Sequence, residues 1–263
     1  MQRTKPIEGD NNMSEVRLNK FLSDAGVCSR READRAVEAG EVTVNGEPAV
    51  MGQKITEIDE VCFRGRPVRR KAADDFVLLA VNKREGIVCT TSRKDPDNIV
   101  DYVGYPTRIY PVGRLDKDSE GLILMTDRGE LSDRILRSVN GHEKEYQVRV
   151  DKPVTKEFID AMKKGVRLED VSSGAKHFKS IRTKPCFAEK TGSQTFRIIL
   201  TQGLNRQIRR MCEALGYRVT HLKRVRVMNI ELRDLKVGEY RHVRGEELET
   251  LLAMLDVKDT RND

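Results

Sequence analysis

The sequence predicts an α+β protein in two parts: a small domain of two helices plus short strands, then a larger domain with a mixed, mainly antiparallel sheet and flanking helices. Two observations support this. Helix and hairpin signals fill residues 15–63 and give way to a charged stretch with a proline, RGRPVRRKAADD at 64–75. After residue 76, several strand patterns follow one another without helices between them. Consecutive strands of this kind favour an antiparallel or mixed sheet over a doubly wound one.

Helix boundaries and turn residues define the small domain. Apolar residues recur at helical spacing up to Gly26, which is a natural helix stop. The sequence Ser-Arg-Arg-Glu at 29–32 is a capping box and predicts a second helix. Val-Thr-Val followed by Asn-Gly at 42–46 predicts a strand and a tight turn. We therefore expect a disordered leader at 1–14, a domain at 15–63 and a linker at 64–75.

The larger domain is predicted to span 76–255, with a short tail at 256–263. Its strand signals lie at 76–82, 86–90, 109–113, 121–126, 144–151, 176–183, 194–201 and 217–231. Its helix signals lie at 129–138, 155–164 and 204–215.

Composition excludes several classes of protein. No apolar run approaches the ~20 residues of a membrane helix, and the polar leader lacks the apolar stretch of a signal peptide. The five cysteines are odd in number and show no C-x-x-C spacing, which favours free thiols in a reducing compartment. We therefore expect a cytoplasmic protein without a membrane partner. There is no Gly-x-Gly-x-x-Gly and no P-loop, so no nucleotide cofactor is indicated.

The positive charge of the chain is concentrated in one segment. The whole chain has 49 basic and 42 acidic residues, a net charge of +7. Residues 201–226 hold seven basic residues and the single acid Glu213. Such a focused excess is typical of a surface that binds a polyanion. The basic residues are Arg206, Arg209, Arg210, Arg218, Lys223, Arg224 and Arg226.

An acidic segment between two apolar strand patterns is the first candidate for chemistry. In Gly-Arg-Leu-Asp-Lys-Asp-Ser-Glu-Gly at 113–121, three acids alternate. The spacing resembles a calcium loop, but the flanks are strands where an EF-hand has helices. A surface turn and a metal-dependent nuclease using Asp116, Asp118 and Glu120 are further alternatives. The four histidines form no ligand pair, so we expect no metal site.

The small domain resembles an S4 RNA-binding domain. The matching residues are R-L-N-K-F-L at 17–22, S-R-R-E-A at 29–33 and G-E-V-T-V-N-G at 40–46. The resemblance implies that the two helices contact structured RNA through phosphates and shape. The basic side chains on or beside these helices are Arg17, Lys20, Arg30, Arg31 and Arg35.

The larger domain resembles the ribosomal RNA pseudouridine synthases of the RsuA family. The order of its motifs carries this resemblance: N-K-x-x-G-I-V at 82–88, Y-P-V-G-R-L-D-K-D-S-E-G-L-I-L-M-T-D at 110–127, K-E-Y-x-V at 144–148 and G-L-N-R-Q-I-R-R-M at 203–211. One departure is Arg84, which stands where the family usually has Pro after Asn-Lys.

The resemblance implies an enzyme that turns a uridine of large-subunit ribosomal RNA into pseudouridine, with a tRNA stem-loop as a second candidate target. It assigns catalysis to Asp116, to Tyr146, which stacks on the flipped base, and to Arg209 as the ion-pair partner of Asp116. RNA contacts are expected from Arg114, Arg206, Arg210, Lys223, Arg224 and Arg226 besides the S4 residues. We expect a monomer that needs no cofactor. The rival interpretation is a non-catalytic RNA-binding or ribosome-assembly factor.

Overall fold

The structure is a computed structural model that describes residues 15–69, 71–72, 76–136, 141–169 and 180–259. The leader at 1–14 and the last four residues of the expected tail lie outside this range. No helix within it is both long and apolar enough to cross a lipid bilayer. The chain divides into two compact units, Met1–Phe76 and Val77–Asp263.

The first unit contains the two helices and short strands expected. Its elements are β1 (Val16–Arg17), α1 (Leu18–Asp24), α2 (Arg30–Glu38), β2 (Val42–Val44), β3 (Glu47–Pro48), β4 (Lys54–Ile55), β5 (Val61–Phe63) and β6 (Arg66–Pro67). Strands β3-β2-β5-β6 form one sheet, and β1 pairs with β4. The capping box is present: the backbone N–H of Glu32 donates to the Ser29 hydroxyl at 3.2 Å, and the Ser29 N–H donates to the Glu32 carboxylate at 2.7 Å.

The expected linker starts later than its sequence suggests. Strand β6 lies inside the stretch 64–75 and pairs with β5. Arg64 and Gly65 both have positive φ, 50° and 72°, and they form the hairpin turn between the two strands. The prediction failed here because Arg-Gly is a weaker turn signal than Asn-Gly, and the charged residues around it resemble a solvated connection. Residues 70 and 73–75 lie outside the described part.

The second unit is built on one large sheet. Its elements are β7 (Leu78–Lys83), α3 (Ile99–Val103), β8 (Tyr110–Val112), β9 (Glu120–Thr126), α4 (Gly129–Leu136), β10 (Lys144–Val150), α5 (Lys156–Lys164), β11 (Arg167–Glu169), β12 (Ser180–Arg182), β13 (Phe187–Lys190), β14 (Thr195–Leu200), α6 (Gln207–Ala214), β15 (Val219–Val227), β16 (Ile230–Glu231), β17 (Tyr240–His242) and α7 (Glu246–Asp259). The strand order is β13-β14-β10-β15-β9-β7-β17, with β16 on β15 and β8 on β9. The mixed, mainly antiparallel sheet is therefore confirmed.

Two predictions about individual elements were wrong. Residues 86–90 do not form a strand; Val88 makes an isolated bridge to Asn98 instead. The expected tail begins inside a helix, because α7 continues to Asp259. Four further elements had no clear signal in the sequence, because they are short or lie at an edge of the sheet. They are α3, β11, β13 and β17. The 14-residue helix α7 was also not among the predicted helices.

Two hydrophobic clusters pack on this sheet and meet near its centre. One combines α5 and α6 with β10 and β14, and includes Phe158, Phe196 and Met211. The other combines α3 with β7 and β9. The half-buried ring of Tyr146 on β10 packs against both clusters. This residue therefore has a well-defined position in the middle of the unit.

The pairing of β9 with β15 is parallel, whereas every other pairing described in the sheet is antiparallel. Gly121 lies opposite Arg224 in this pairing. A Cβ atom on Gly121 would collide with the backbone of Arg224, coming within 2.7 Å of its nitrogen. Gly121 also has φ 109°, a conformation that favours glycine. Gly121 thus allows β9 and β15 to approach closely at the end of the acidic segment.

We expect residues 77–263 to fold without the first unit. Each unit has its own buried cluster, that of the first including Leu22, Val42 and Ile55. Urea unfolding of a 77–263 fragment, followed by circular dichroism, should give a single cooperative transition. A fragment that unfolds without cooperativity would contradict this domain boundary.

Candidate active site

A cavity of about 300 Å³ opens among the segments that the motifs single out. Its lining includes Asp116, Tyr146 and Arg206. The first comes from the β8–β9 connection, the second from β10 and the third from the residues just before α6. The volume lies at the lower end of the range for small-molecule sites. Three motifs that are far apart in the sequence therefore contribute to one cavity.

Asp116 occupies a turn whose backbone is fixed on both sides. Leu115 before it is 7% exposed, and its N–H donates to the Cys89 sulfur at 3.4 Å. After it, the N–H of Ser119 donates to the Asp116 carbonyl at 3.1 Å. The Asp116 side chain is 32% exposed, and its nearest cation is Arg206, whose Nη1 lies 3.8 Å from Oδ2. The carboxylate thus faces the cavity with only one long ion-pair contact among the residues described.

The structure corrects the predicted ion pair between Arg209 and Asp116. Arg209 instead contacts the next acid along: its Nε lies 3.3 Å from Asp118 Oδ2. Its Nη2 donates to the Asp118 carbonyl at 2.5 Å and to the Ser119 hydroxyl at 3.2 Å. Arg206 and Arg209 lie one helical turn apart, so both reach the acidic segment. Arg206 reaches further toward Asp116.

Arg206 makes a two-pronged contact with Asp118. Its Nη1 and Nη2 donate to the two carboxylate oxygens at 3.0 and 2.8 Å. These hydrogen bonds from Arg206 hold the pKa of Asp118 below its usual range, and they raise the pKa of Arg206. The Arg206 backbone is left-handed, with φ 47°, a conformation that costs a non-glycine residue free energy. The ion pairs with the acidic segment help to offset that cost.

Arg224 is buried, which does not fit the phosphate-contact role that the sequence predicted for it. It is 4% exposed, and its Nε donates to the Leu122 carbonyl at 2.7 Å. Its Nη1 lies 3.5 Å from the Arg114 carbonyl. The guanidinium therefore joins β9 to the start of the acidic segment and helps to hold the backbone that carries Asp116.

Lys83 also helps to hold the acidic segment, from the end of β7, and no role was predicted for it from the sequence. It is fully buried at the end of β7. Its ammonium donates to the carbonyls of Arg84 and Ile87 at 2.9 Å and contacts that of Lys117 at 3.5 Å. Burial lowers its pKa. The available signal was a lysine at the end of an otherwise apolar strand pattern, inside the N-K-x-x-G motif.

Arg84, the departure from the family pattern, lies in this same turn. Its side chain is exposed, and its guanidinium lies 5.6 Å from the centre of the Tyr102 ring. The N–H of Gly86 donates to the Lys117 carbonyl at 2.7 Å, so the turn is joined to the acidic segment. The absence of the usual proline therefore leaves this junction intact.

The strand β10 places Tyr146 and Lys144 on the cavity side, because alternate residues of a strand point the same way. Both line the cavity. Glu145 between them forms ion pairs with Arg197 at 3.5 Å and with Arg226 at 3.0 Å. Lys144 was part of the K-E-Y motif, but no role was predicted for it.

The remaining predicted RNA contacts fall into two groups. In the second unit, most form internal contacts: Lys223 pairs with Glu120 at 2.9 Å, Arg226 pairs with Glu143 and Glu145, and Arg210 donates to the Glu169 carbonyl. Arg114 is exposed beside the cavity. In the first unit, Lys20 pairs with Asp24 at 2.9 Å. The others there are exposed and form no ion pair with the described residues, namely Arg17, Arg30, Arg31 and Arg35.

The alternating acids do not form a metal centre in the described part of the chain. Asp118 is bound by two arginines, and Glu120 is bound by Lys223 and lies 3.6 Å from His221. Attraction by Lys223 and His221 lowers the pKa of Glu120 against the opposing effect of burial. No group of three metal-binding side chains occurs among these residues. The alternate spacing instead places Asp118 and Glu120 against different basic residues.

Comparisons with known proteins agree with the site. Residues 77–214 match the RNA pseudouridylate synthase family, and residues 16–61 match the S4 domain. A solved structure described as a pseudouridylate synthase superimposes with a TM-score of 0.62 at 30% identity, covering 90% of this chain and 99% of that one.

Curated relatives are similar over most of their length. The dual-specificity RNA pseudouridine synthase RluF of Salmonella typhi is 48% identical over 92% of this chain and 81% of its own. The RluF of Escherichia coli K12 is 47% identical, with 92% and 80% covered. The ribosomal large subunit pseudouridine synthase B of Bacillus subtilis is 32% identical, with 91% and 97% covered. Together with the shared cavity of Asp116 and Tyr146, these matches show that the chain belongs to the RNA pseudouridine synthases of the RsuA family and carries an S4 domain.

Proposed function

We propose that this pseudouridine synthase modifies a uridine of large-subunit ribosomal RNA and that a tRNA stem-loop is its second substrate. The observation that carries the proposal is the cavity that Asp116 and Tyr146 share. The names of the relatives support it, since one group is called dual-specificity and another acts on the ribosomal large subunit. We also infer a monomer that acts in the cytoplasm; five free cysteines are consistent with a reducing compartment.

The reaction is an isomerisation, so its atoms balance without a co-reactant. The N1–C1′ bond breaks, the uracil turns, and a C5–C1′ bond forms; C5 loses a proton, and N1 gains one. A uridine stacked in a helix cannot enter the cavity, so the target must be looped or flipped out, which costs a few kcal/mol. The ionised Asp116 attacks the sugar or the base, or removes a sugar proton. The Tyr146 ring stacks on the uracil, and its hydroxyl serves proton transfer.

We assign different roles to the two arginines of the late motif. Arg206 is the cation nearest to Asp116: its Nη1 lies 3.8 Å from the carboxylate oxygen Oδ2, and we assign it the role of an electrostatic partner of this group. Arg209 is a positioning residue that fixes the turn after Asp116 through Asp118 and Ser119. This replaces the prediction that Arg209 pairs with Asp116 directly.

We assign RNA binding mainly to exposed cations without an internal partner. A side chain already neutralised by a carboxylate has little charge to offer a phosphate. Among the described residues, Arg17, Arg30, Arg31 and Arg35 of the first unit meet this condition, and so does Arg114 at the cavity. Lys223 and Arg226 do not, because each forms ion pairs with glutamates.

We expect Asp116→Asn to abolish turnover and to leave folding and RNA affinity nearly intact. Asn has almost the same shape as Asp but cannot act as a nucleophile or base. The measurement is pseudouridine mapping in ribosomal RNA and tRNA incubated with each protein, together with binding by filter retention. Turnover by the variant within tenfold of wild type would contradict the assignment. Wild-type activity on neither RNA would contradict the proposed substrates.

We expect Arg31→Ala to reduce the salt dependence of RNA binding and Lys223→Ala to leave it almost unchanged. A phosphate contact contributes roughly 0.7–0.9 to the slope of log affinity against log salt. Arg31 should show that loss, because it is exposed and forms no ion pair with the described residues. Lys223→Ala should reduce the slope by about a third of that amount or less, because Lys223 is already bound to Glu120.

The measurement is the dissociation constant at five salt concentrations, with both variants on the same RNA. Equal losses of slope for the two variants would refute the division between exposed and internally paired cations.

A further inference from the structure

We propose that Lys144 is a further catalytic residue, whose ammonium binds a carbonyl oxygen of the target uracil and stabilises the negative charge that the base acquires during the reaction. The proposal rests on the proposed function and concerns the same cavity. Neither the sequence patterns nor the comparisons assign a role to this lysine.

The position of Lys144 in the cavity supports this role. Lys144 and Tyr146 are alternate residues on β10, and both line the cavity that contains Asp116. A uracil stacked on the Tyr146 ring and held near Asp116 would therefore lie beside the Lys144 side chain. On the same strand, Glu145 is occupied by Arg197 and Arg226. The strand thus separates a structural ion-pair cluster from the cavity.

The Lys144 ammonium also has no counter-charge among the described residues. Within the described residues it has no carboxylate within 4 Å, and its one hydrogen bond, to the His142 carbonyl, is long at 3.4 Å. Two other cations of the cavity lining, Arg206 and Arg224, are better satisfied. Arg206 binds Asp118 at 2.8 Å, and Arg224 donates to the Leu122 carbonyl at 2.7 Å. Lys144 therefore retains bonding capacity that faces the cavity.

Keeping such a cation is unfavourable for the fold. Removal from water, assisted by the charge of Arg224, lowers the pKa of Lys144. A half-buried charge without a partner costs free energy that a methionine of similar length would not. Residues that combine such a cost with a place in a cleft are frequently functional. A ligand with a partial negative charge would satisfy the ammonium.

The reaction provides such a ligand. If Asp116 displaces the base or removes a sugar proton, the N1–C1′ electron pair stays on the uracil, and its charge spreads to O2 and O4. If Asp116 adds to the base, the charge again reaches a carbonyl oxygen. In a cavity with little water, an ammonium aimed at that oxygen stabilises the transition state more than the neutral ground state. Lys144 keeps its proton throughout, so the balance of the reaction is unchanged.

The experiment compares full-length Lys144→Met, Lys144→Arg and wild type under single-turnover conditions, with Lys94→Met as control. Lys94 is exposed and lies outside the cavity lining. We expect Lys144→Met to lower the rate constant roughly 10²–10³-fold, the scale of losing one donor to a developing anion. Its RNA dissociation constant should stay within threefold of wild type. Lys144→Arg should recover part of the rate, and Lys94→Met should match wild type.

A pH profile separates this role from a merely structural one. The charged groups that line the same cavity are Asp116 and Arg114 from the acidic segment, Arg206 before α6 and Arg224 on β15; the titratable Tyr146 and His142 also line it. Because the pKa of Lys144 is lowered, the wild-type rate should fall as pH rises through that value, below the usual lysine range. Lys144→Arg should lack this fall, because a guanidinium stays charged. Titration of the RNA affects both proteins equally and cancels.

The outcomes are distinct. A Lys144→Met rate within threefold of wild type, or a loss found entirely in RNA affinity, would overturn the proposal. The same alkaline fall in wild type and Lys144→Arg would also overturn it. If Lys144→Met does not fold, the Lys144→Arg profile alone decides. Absence of pseudouridine in the wild-type reaction would refute the proposed function instead.

Discussion

The buried guanidinium of Arg224 is the interaction on which the site depends. It joins the Leu122 carbonyl of β9 to the Arg114 carbonyl, two residues before Asp116. It can reach both only because β15 runs parallel to β9 at close distance, and Gly121 permits that approach. An arginine suits this place because its guanidinium carries several donors in a fixed plane. The parallel pairing of β9 with β15 thus helps to set the position of Asp116, to which we assign catalysis.

Two more cations hold the same segment from other directions. Lys83 reaches the Lys117 carbonyl from β7, and Arg209 reaches Asp118 and Ser119 from α6. Of the two acids after Asp116, Asp118 is bound by Arg206 and Arg209, and Glu120 is bound by Lys223. Within the described part of the chain, the Asp116 carboxylate has only the 3.8 Å ion-pair contact with Arg206. The segment is therefore rigid in its backbone, and its one weakly paired carboxylate faces the cavity, an arrangement suited to preorganised catalysis.

The sequence predicted the fold class, most elements of the sheet and the cavity residues Asp116 and Tyr146. It could not decide how the charges pair. Two acids at alternate positions face two arginines three residues apart, and only the structure shows that Arg206, whose backbone is left-handed, lies nearer Asp116. Nor could the sequence separate exposed basic residues from those whose side chains bind backbone carbonyls, because the burial of Arg224 depends on the parallel pairing of β15 with β9. Lys144 was inside a recognised motif, but only the three-dimensional structure shows that none of the described carboxylates lies within 4 Å of its ammonium.

We infer that buried cations preorganise the segment that carries Asp116. Single-turnover kinetics of Arg224→Met tests it most directly, at a temperature where circular dichroism shows the variant to be folded. Displacement of a reacting group by about 1 Å can cost 10²-fold in rate. We predict a loss of about that size in pseudouridine formation, with RNA affinity within a few-fold of wild type. A folded variant that reacts within threefold of the wild-type rate would contradict the account.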